Sequence, residues 1–248
     1  MTPQPARVQF FATCLVDQFF PAAGHAAVAV LERCGVEVLG PPDQTCCGQP
    51  AFNAGFAEHA AAMARATIDA LSRSDEPVVV PSGSCADMIV NHYPELLAGD
   101  ATYGPRAKAL AARTYEFSQF LVDVLGVDPA AAPTGPTLAY HASCHGLRGL
   151  GLREQPRRLL RAAAGARCAD LPDAETCCGF GGVFAVKMGP VSSAMLESKL
   201  DAIERSGAEV VVATDVSCLM HIGGGLHRRG SPVRVLHIAE VAAGDRRE

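Results

Sequence analysis

A chain of 248 residues, 49% hydrophobic and 19% charged, can bury a sizeable core and is too apolar to be disordered throughout. A net charge of −5 with dispersed acids and no long basic run argues against a nucleic-acid partner. No apolar run approaches the roughly 20 residues that span a bilayer, and Met1–Arg7 lacks the basic-then-apolar order of a signal peptide. A cytoplasmic protein without membrane insertion is expected.

The chain opens with Val8 to Thr13, a strand-like run that reaches Cys14. A helix follows over Pro21 to Cys34, stopped by Gly35, and Val36 to Leu39 forms a second short strand. Pro41-Pro42-Asp43 turns the chain into Cys46-Cys47-Gly48. Phe56, Ala60, Met63, Thr67 and Leu71 recur at helical spacing, and Val78–Val80 is a buried parallel strand leading to Cys85. Helical segments are expected over Arg106–Arg113 and Glu116–Gly126, and the Pro-, Ala- and Gly-rich stretch near 128–136 reads as a linker.

The order then repeats. Thr137 to His141 is strand-like and reaches Cys144; Gln155–Ala164 is helical; Arg167–Leu171 is a short strand before Cys177-Cys178-Gly179. Pro190 begins a helix that Gly207 ends, with Leu196, Leu200 and Ile203 on one face. Val210–Ala213 forms the next strand and runs through Asp215 to Cys218, while Gly223-Gly224-Gly225 reads as a helix-ending turn. The expected fold is α/β: two pseudo-symmetric lobes from an internal duplication, residues 1–130 and 137–248, each built of parallel βαβ units.

Cys14, Cys46, Cys47 and Cys85 are matched by Cys144, Cys177, Cys178 and Cys218 at offsets of 130, 131, 131 and 133. Four of the eight fall at or just beyond the carboxyl ends of strands, and the double cysteines fall in strand-to-helix loops, the edge where open α/β sheets build sites. Ten cysteines in a reducing compartment do not make a disulfide framework. A structural zinc site favours Cys-x-x-Cys knuckles, absent here, and adjacent cysteines suit a single ion poorly. An iron–sulfur cluster offers several irons, each taking one thiolate, so dispersed and vicinal cysteines both fit. Buried inert thiols are the third reading, and eight in register across a duplication weigh against it. Iron–sulfur is favoured. Gly48, Gly179 and Gly181-Gly182 let backbone N–H groups approach sulfur. Cys34 and Cys168 stand outside the pattern and are expected to be packed thiols.

The repeated Cys … Cys-Cys-Gly … Cys arrangement resembles the cysteine-rich CCG domain found twice in iron–sulfur components of heterodisulfide reductase and glycolate oxidase. His141-Ala-Ser-Cys-His-Gly-Leu-Arg148, Cys177-Cys-Gly-Phe-Gly-Gly-Val-Phe184 with Lys187, Asp215-Val-Ser-Cys-Leu-Met-His-Ile222 and His237-Ile-Ala-Glu240 are more narrowly similar to the lactate utilization protein A family. That resemblance implies an iron–sulfur electron-transfer subunit of an L-lactate to pyruvate oxidation system. It would work with two other lactate-utilization proteins, one of them iron–sulfur; four cysteines per repeat fit two [4Fe–4S] cubanes, and the non-cubane cluster that five cysteines hold in heterodisulfide reductase is the alternative. A glycolate oxidase or heterodisulfide-reductase-like subunit, and a non-catalytic redox scaffold or sensor, are the alternatives. The fuller CCG pattern has a fifth cysteine where this chain has Ser82 and Asp215; Asp215 is expected to be a helix N-cap rather than a ligand.

His141, His145 and His221 flank the second-repeat cysteines and are candidates for proton transfer, hydrogen bonding to sulfur or ligation. Arg148 and Lys187 are candidates for holding a carboxylate or balancing cluster charge. No Gly-x-Gly-x-x-Gly follows the first strand and no flavin fingerprint occurs, so neither NAD nor flavin is expected here.

Overall fold

A computed structural model describes residues 4–127, 135–163 and 167–244. The expected linker lies mostly outside these described residues. Two four-stranded, all-parallel sheets carry the fold. The first runs β2-β1-β3-β4, with β1 at Arg7–Phe10, β2 at Glu37–Leu39, β3 at Val78–Val80 and β4 at Thr114–Glu116. The second runs β6-β5-β7-β8, with β5 at Thr137–Tyr140, β6 at Arg167–Ala169, β7 at Val210–Ala213 and β8 at Arg234–His237. The two lobes therefore share one topology, as the duplication implied.

The central strands are apolar throughout because helices cover both faces: every residue of Val78–Val80 and of Val210–Ala213 is buried. Helix Pro21–Arg33 starts on its proline and gives way to Gly35 at φ +81°, and Ala57–Leu71 follows the expected helical spacing. Helix Gly189–Arg205 carries Leu196, Leu200 and Ile203 on its buried face.

Two expectations need correction. Glu116 closes strand β4 rather than opening one long helix; short helical segments Phe117–Gln119 and Phe120–Val124 follow it. Gly223–Gly225 lie inside helix Val216–Arg228 instead of ending it. The packing explains why glycine is tolerated there: a Cβ on Gly225 would lie 2.7 Å from Leu200 Cδ1, so its absence lets the two helices close together.

On one side of each sheet the covering helices pack into a core that both lobes share. The shared core joins Val8, Leu31, Phe117 and Phe120 to Leu138, Leu159, Val210 and Ile238. Helix Ile238–Ala243 of the second lobe packs on Pro21–Arg33 of the first, where Arg33 donates to the carbonyls of Ala242 and Ala243 at 2.7 and 2.9 Å. Two further clusters belong to one lobe each. Phe11, Cys47, Cys85 and Tyr93 lie in the first, and Cys178, Leu196, Leu200 and Cys218 in the second. The cysteines thus stand at the rim where lobe-specific packing meets the lobe interface.

Candidate metal centres

Parallel strands deliver the cysteines to one edge. Cys14 begins helix Cys14–Phe19 just after β1, and Cys85 lies in helix Gly83–Asp87 after β3. Cys144 follows β5 and Cys218 lies in the first turn of the helix after β7. The double cysteines occupy the loops after β2 and β6. Gly48 and Gly179 then adopt φ +87° and +89°, turning the chain into the next helix.

Buried side chains fix these loops. Tyr93 donates its hydroxyl to the Cys47 carbonyl at 2.8 Å, and Gln49 donates to the Ser84 carbonyl at 3.1 Å. In the second lobe the Ser192 hydroxyl donates to the Gly179 carbonyl at 2.7 Å. The two strand ends are also tied across the lobes. Gly83 N–H donates to the Thr214 carbonyl at 3.2 Å, and Ser84 N–H to Asp215 Oδ2 at 2.8 Å. Asp215 caps its own helix as expected, accepting from Ser217 N–H, and the same carboxylate bridges the lobes. Ser82 is buried beside it.

All eight cysteines of the pattern line a single cavity of about 210 Å³, together with Gln49, Ser82, His145 and Asp215. All ten cysteines are free thiols. Within the quartets, Cys47 and Cys85 sulfurs lie 3.2 Å apart and Cys178 and Cys218 sulfurs 3.3 Å apart. Cys46 and Cys177 are the thiols that ionise most readily. Each accepts hydrogen bonds from two neighbouring thiols, Cys14 and Cys47 or Cys144 and Cys178, and from the N–H of Gly48 or Gly179. Gly179 N–H lies 3.4 Å from Cys177 Sγ. The donating thiols Cys14, Cys47, Cys144 and Cys178 are pushed up by the same hydrogen bonds and by burial. Four soft donors, one already biased toward thiolate, with glycine N–H groups aimed at sulfur, form a donor set suited to iron–sulfur or another thiophilic metal.

The three candidate histidines part company. His145 lines the cavity; its Nδ1 lies 2.6 Å from Asp87 Oδ2 and its Nε2 3.3 Å from Gln49 Nε2. The Asp87 hydrogen bond holds the His145 pKa above its ordinary value. Asp87 comes from the first lobe and His145 from the second, so this pair exists only in the assembled molecule. His141 is fully buried behind the second quartet, with a ring nitrogen and the sulfurs of Cys178 and Cys218 all within 4.8 Å of one another. Burial, with Lys199 nearby, lowers its pKa to about 3. His221 lies behind Phe180, its Nε2 3.4 Å from Ser192 Oγ, and does not line the cavity.

Arg148 and Lys187 are exposed and outside the cavity wall, and Arg148 donates to the Glu175 carbonyl at 3.1 Å. The cation closest in character to a charge partner is Lys199, which the cysteine motifs did not point to. It is buried, donates to the Asp173 carbonyl at 2.6 Å, and interacts electrostatically with Cys178, Cys218 and Cys177. Its signal was available, since Lys199 sits on the apolar stripe of Leu196, Leu200 and Ile203. Asp87 gave no such signal. Cys34 and Cys168 are exposed, not packed, because both lie near the outer ends of edge elements.

The comparisons with known proteins fall on this frame. The cysteine-rich domain family, CCG, matches twice, over residues 8–90 and 138–223. The duplicated fold and paired cysteine loops are thus those of a two-domain CCG protein. "Lactate utilization protein A" of Exiguobacterium sp. is 48% identical over 94% of this chain and 96% of its own length. The protein of the same name from Geobacillus sp. (strain WCH70) is 46% identical, over 95% and 98%. "Lactate utilization protein A 2" of Bacillus cereus (strain 03BB102) is 44% identical, over 96% and 98%. The chain belongs to the lactate utilization protein A family. A hypothetical protein from Helicobacter pylori shares the fold at a TM-score of 0.69 and 10% identity; this chain is 99% covered and spans half of that one. Among the described residues no helix is long and apolar enough to cross a membrane.

Proposed function

We propose that the two quartets each hold an iron–sulfur cluster, [4Fe–4S] in type, and that the chain carries electrons within a cytoplasmic system oxidising L-lactate to pyruvate. The observation that carries this reading is the convergence of all eight pattern cysteines on one cavity of about 210 Å³. A four-thiolate zinc ion sits about 2.3 Å from each sulfur and needs no such space. A cluster of several irons and sulfides does. Cys14, Cys46, Cys47 and Cys85 would ligate one centre and Cys144, Cys177, Cys178 and Cys218 the other. When bound, the clusters supply one-electron storage; the chain supplies thiolates, N–H donors and exclusion of water.

The family's name supports the lactate assignment, and two partner proteins would provide the oxidation site and the onward acceptor. Docking is favoured by apolar residues just beyond the second double-cysteine loop, where Val186 is 84% exposed and Met188 and Val191 about half exposed, at 49% and 47%. Iron and acid-labile sulfide analysis with EPR on anaerobically purified protein tests the reading. About eight irons per chain are expected, at four per Cys₄ site. Cys178→Ala should lose the second lobe's share and leave the first. Full iron and sulfide in that variant, or zinc in the wild type, would refute the assignment.

A further inference from the structure

Ser82 and Asp215 are one buried difference between the lobes, and the Asp215 carboxylate accepts from the N–H groups of Ser84 and Ser217. Two further buried differences bring nitrogen toward the second-lobe thiols. Phe11 and His141 occupy the same place, three residues before Cys14 and Cys144, and their backbone N–H groups make the same bond, to the carbonyls of Val79 at 3.0 Å and Val212 at 2.8 Å. Phe11 packs into the apolar cluster with Cys47 and Cys85. His141 instead sets a ring nitrogen within 4.8 Å of the Cys178 and Cys218 sulfurs. Among the described residues neither of its buried ring nitrogens has a hydrogen-bond partner. A buried imidazole without a partner is costly, and the Cys178 and Cys218 sulfurs lie close to the ring without being bonded to it in this structure. The second difference runs the same way. The helices behind the double-cysteine loops superpose Ala60 and Met63 on Ser192 and Met195, the residues a Cβ on Gly48 or Gly179 would meet. That register sets Thr67 opposite Lys199, a neutral hydroxyl opposite a buried amine.

We infer that His141 is a potential-setting residue: it donates its ring N–H to the thiolates of Cys178 and Cys218 and, with Lys199, places the reduction potential of the second-lobe centre above that of the first. Hydrogen bonds to sulfur and nearby positive charge both stabilise the reduced, more negative state. A neutral imidazole retains one N–H, so the bond does not depend on the ring being charged. An electron shared between the centres therefore resides in the second lobe. This rests on the iron–sulfur reading above and adds an order to the two centres.

The experiment is a potentiometric titration followed by EPR on the full-length, cluster-loaded chain, after iron and sulfide analysis. Wild type should titrate in two steps. His141→Phe, which installs the first lobe's residue, should lower the upper step and leave the other unmoved. His141→Gln keeps an N–H donor and should restore much of the gap, whereas a purely space-filling role would make Gln no better than Phe. Phe11→His, in the other lobe, should raise the lower step. Both steps unmoved in His141→Phe would overturn the inference while leaving the clusters in place. Loss of second-lobe iron in both His141 variants would make the ring a ligand and overturn the donor role. Absence of clusters in the wild type would instead sink the reading beneath it.

Discussion

Gly179 and Gly48 are equivalent residues under unequal pressure. Their φ values, +89° and +87°, are equally hostile to a side chain. The surroundings differ, however. A Cβ on Gly179 would lie 2.7 Å from the Ser192 carbonyl oxygen and 2.9 Å from Met195 Cβ, whereas on Gly48 the closest approaches are 3.1 and 3.2 Å. Backbone strain of this kind costs on the order of 1–3 kcal/mol, and backbone collision adds to it. Gly179→Ala should therefore lower the melting temperature more than Gly48→Ala. It should also speed thiol labelling of Cys177 and Cys178 in the anaerobic, metal-free protein. Equal effects from the two variants would show that crowding behind the loop is relieved by movement of helix Gly189–Arg205. At this scale the sequence was informative where residues recur: the eight cysteines and both glycines were found by their register. Asp87 was invisible because its partner, His145, is 58 residues away and in the other lobe. The separation of His145 from His221 was equally hidden, since only the helix direction after Cys218 decides which ring meets the cavity.

Apolar strands such as Val78–Val80 and Val210–Ala213, and helices with proline or glycine punctuation, were legible from pattern alone. The fourth strands were not. Thr114–Glu116 and Arg234–His237 run straight into helices without a glycine or proline, and their caps are unusual. Glu116 accepts from the N–H of Ser118 at 2.8 Å and of Gln119 at 3.1 Å, and His237 accepts from Ala239 N–H at 3.2 Å. Ser, Thr, Asp and Asn are the usual residues at such positions. The choice of Glu116 has a measurable consequence. It is fully buried, and burial pushes its pKa from 4.5 up to about 7 despite those hydrogen bonds, with Asp215 adding to the rise. The folded state thus holds this proton more tightly than the unfolded chain. Its contribution is complete below pH 4.5 and is lost as pH rises through about 7, for a span of about 3 kcal/mol. Glu116→Gln keeps a cap acceptor and removes the titration. Its unfolding midpoint in urea should change less between about pH 5 and 8 than that of wild type. The opposing trend from His237, whose pKa burial lowers to about 4, is common to both proteins and cancels in the difference. Parallel pH profiles would mean that Glu116 is solvated in solution.

For the whole molecule, the question is whether duplication has produced two domains or one. The sequence divides the chain into lobes at 1–130 and 137–248, two similar sheets are present, and the packing between them raises the prospect of one cooperative unit. Residues of both lobes contribute to one core, segment Phe120–Val124 packs on helix Glu154–Ala163, and Arg33 caps a helix of the opposite lobe. The cysteine cavity is likewise walled by both, with Ser84 N–H and the Asp215 carboxylate joining the strand ends beneath it. A pattern of sequence repeats reports that each half can make its sheet, but not which sheet face remains exposed when the halves separate. Truncating one interface side chain distinguishes the cases. Phe120 is fully buried in the shared core, and Phe120→Ala should cost about 3–5 kcal/mol, the usual range for a buried aromatic. In a single cooperative unit that loss lowers amide protection in the central strands of both lobes by the same free energy, and far-ultraviolet circular dichroism shows one thermal transition. In a two-domain molecule protection would fall around Val78–Val80 and be kept around Val210–Ala213, with two transitions resolved. The first outcome would also mean that the cysteine cavity forms as one unit with the interface, since its lining comes from both lobes.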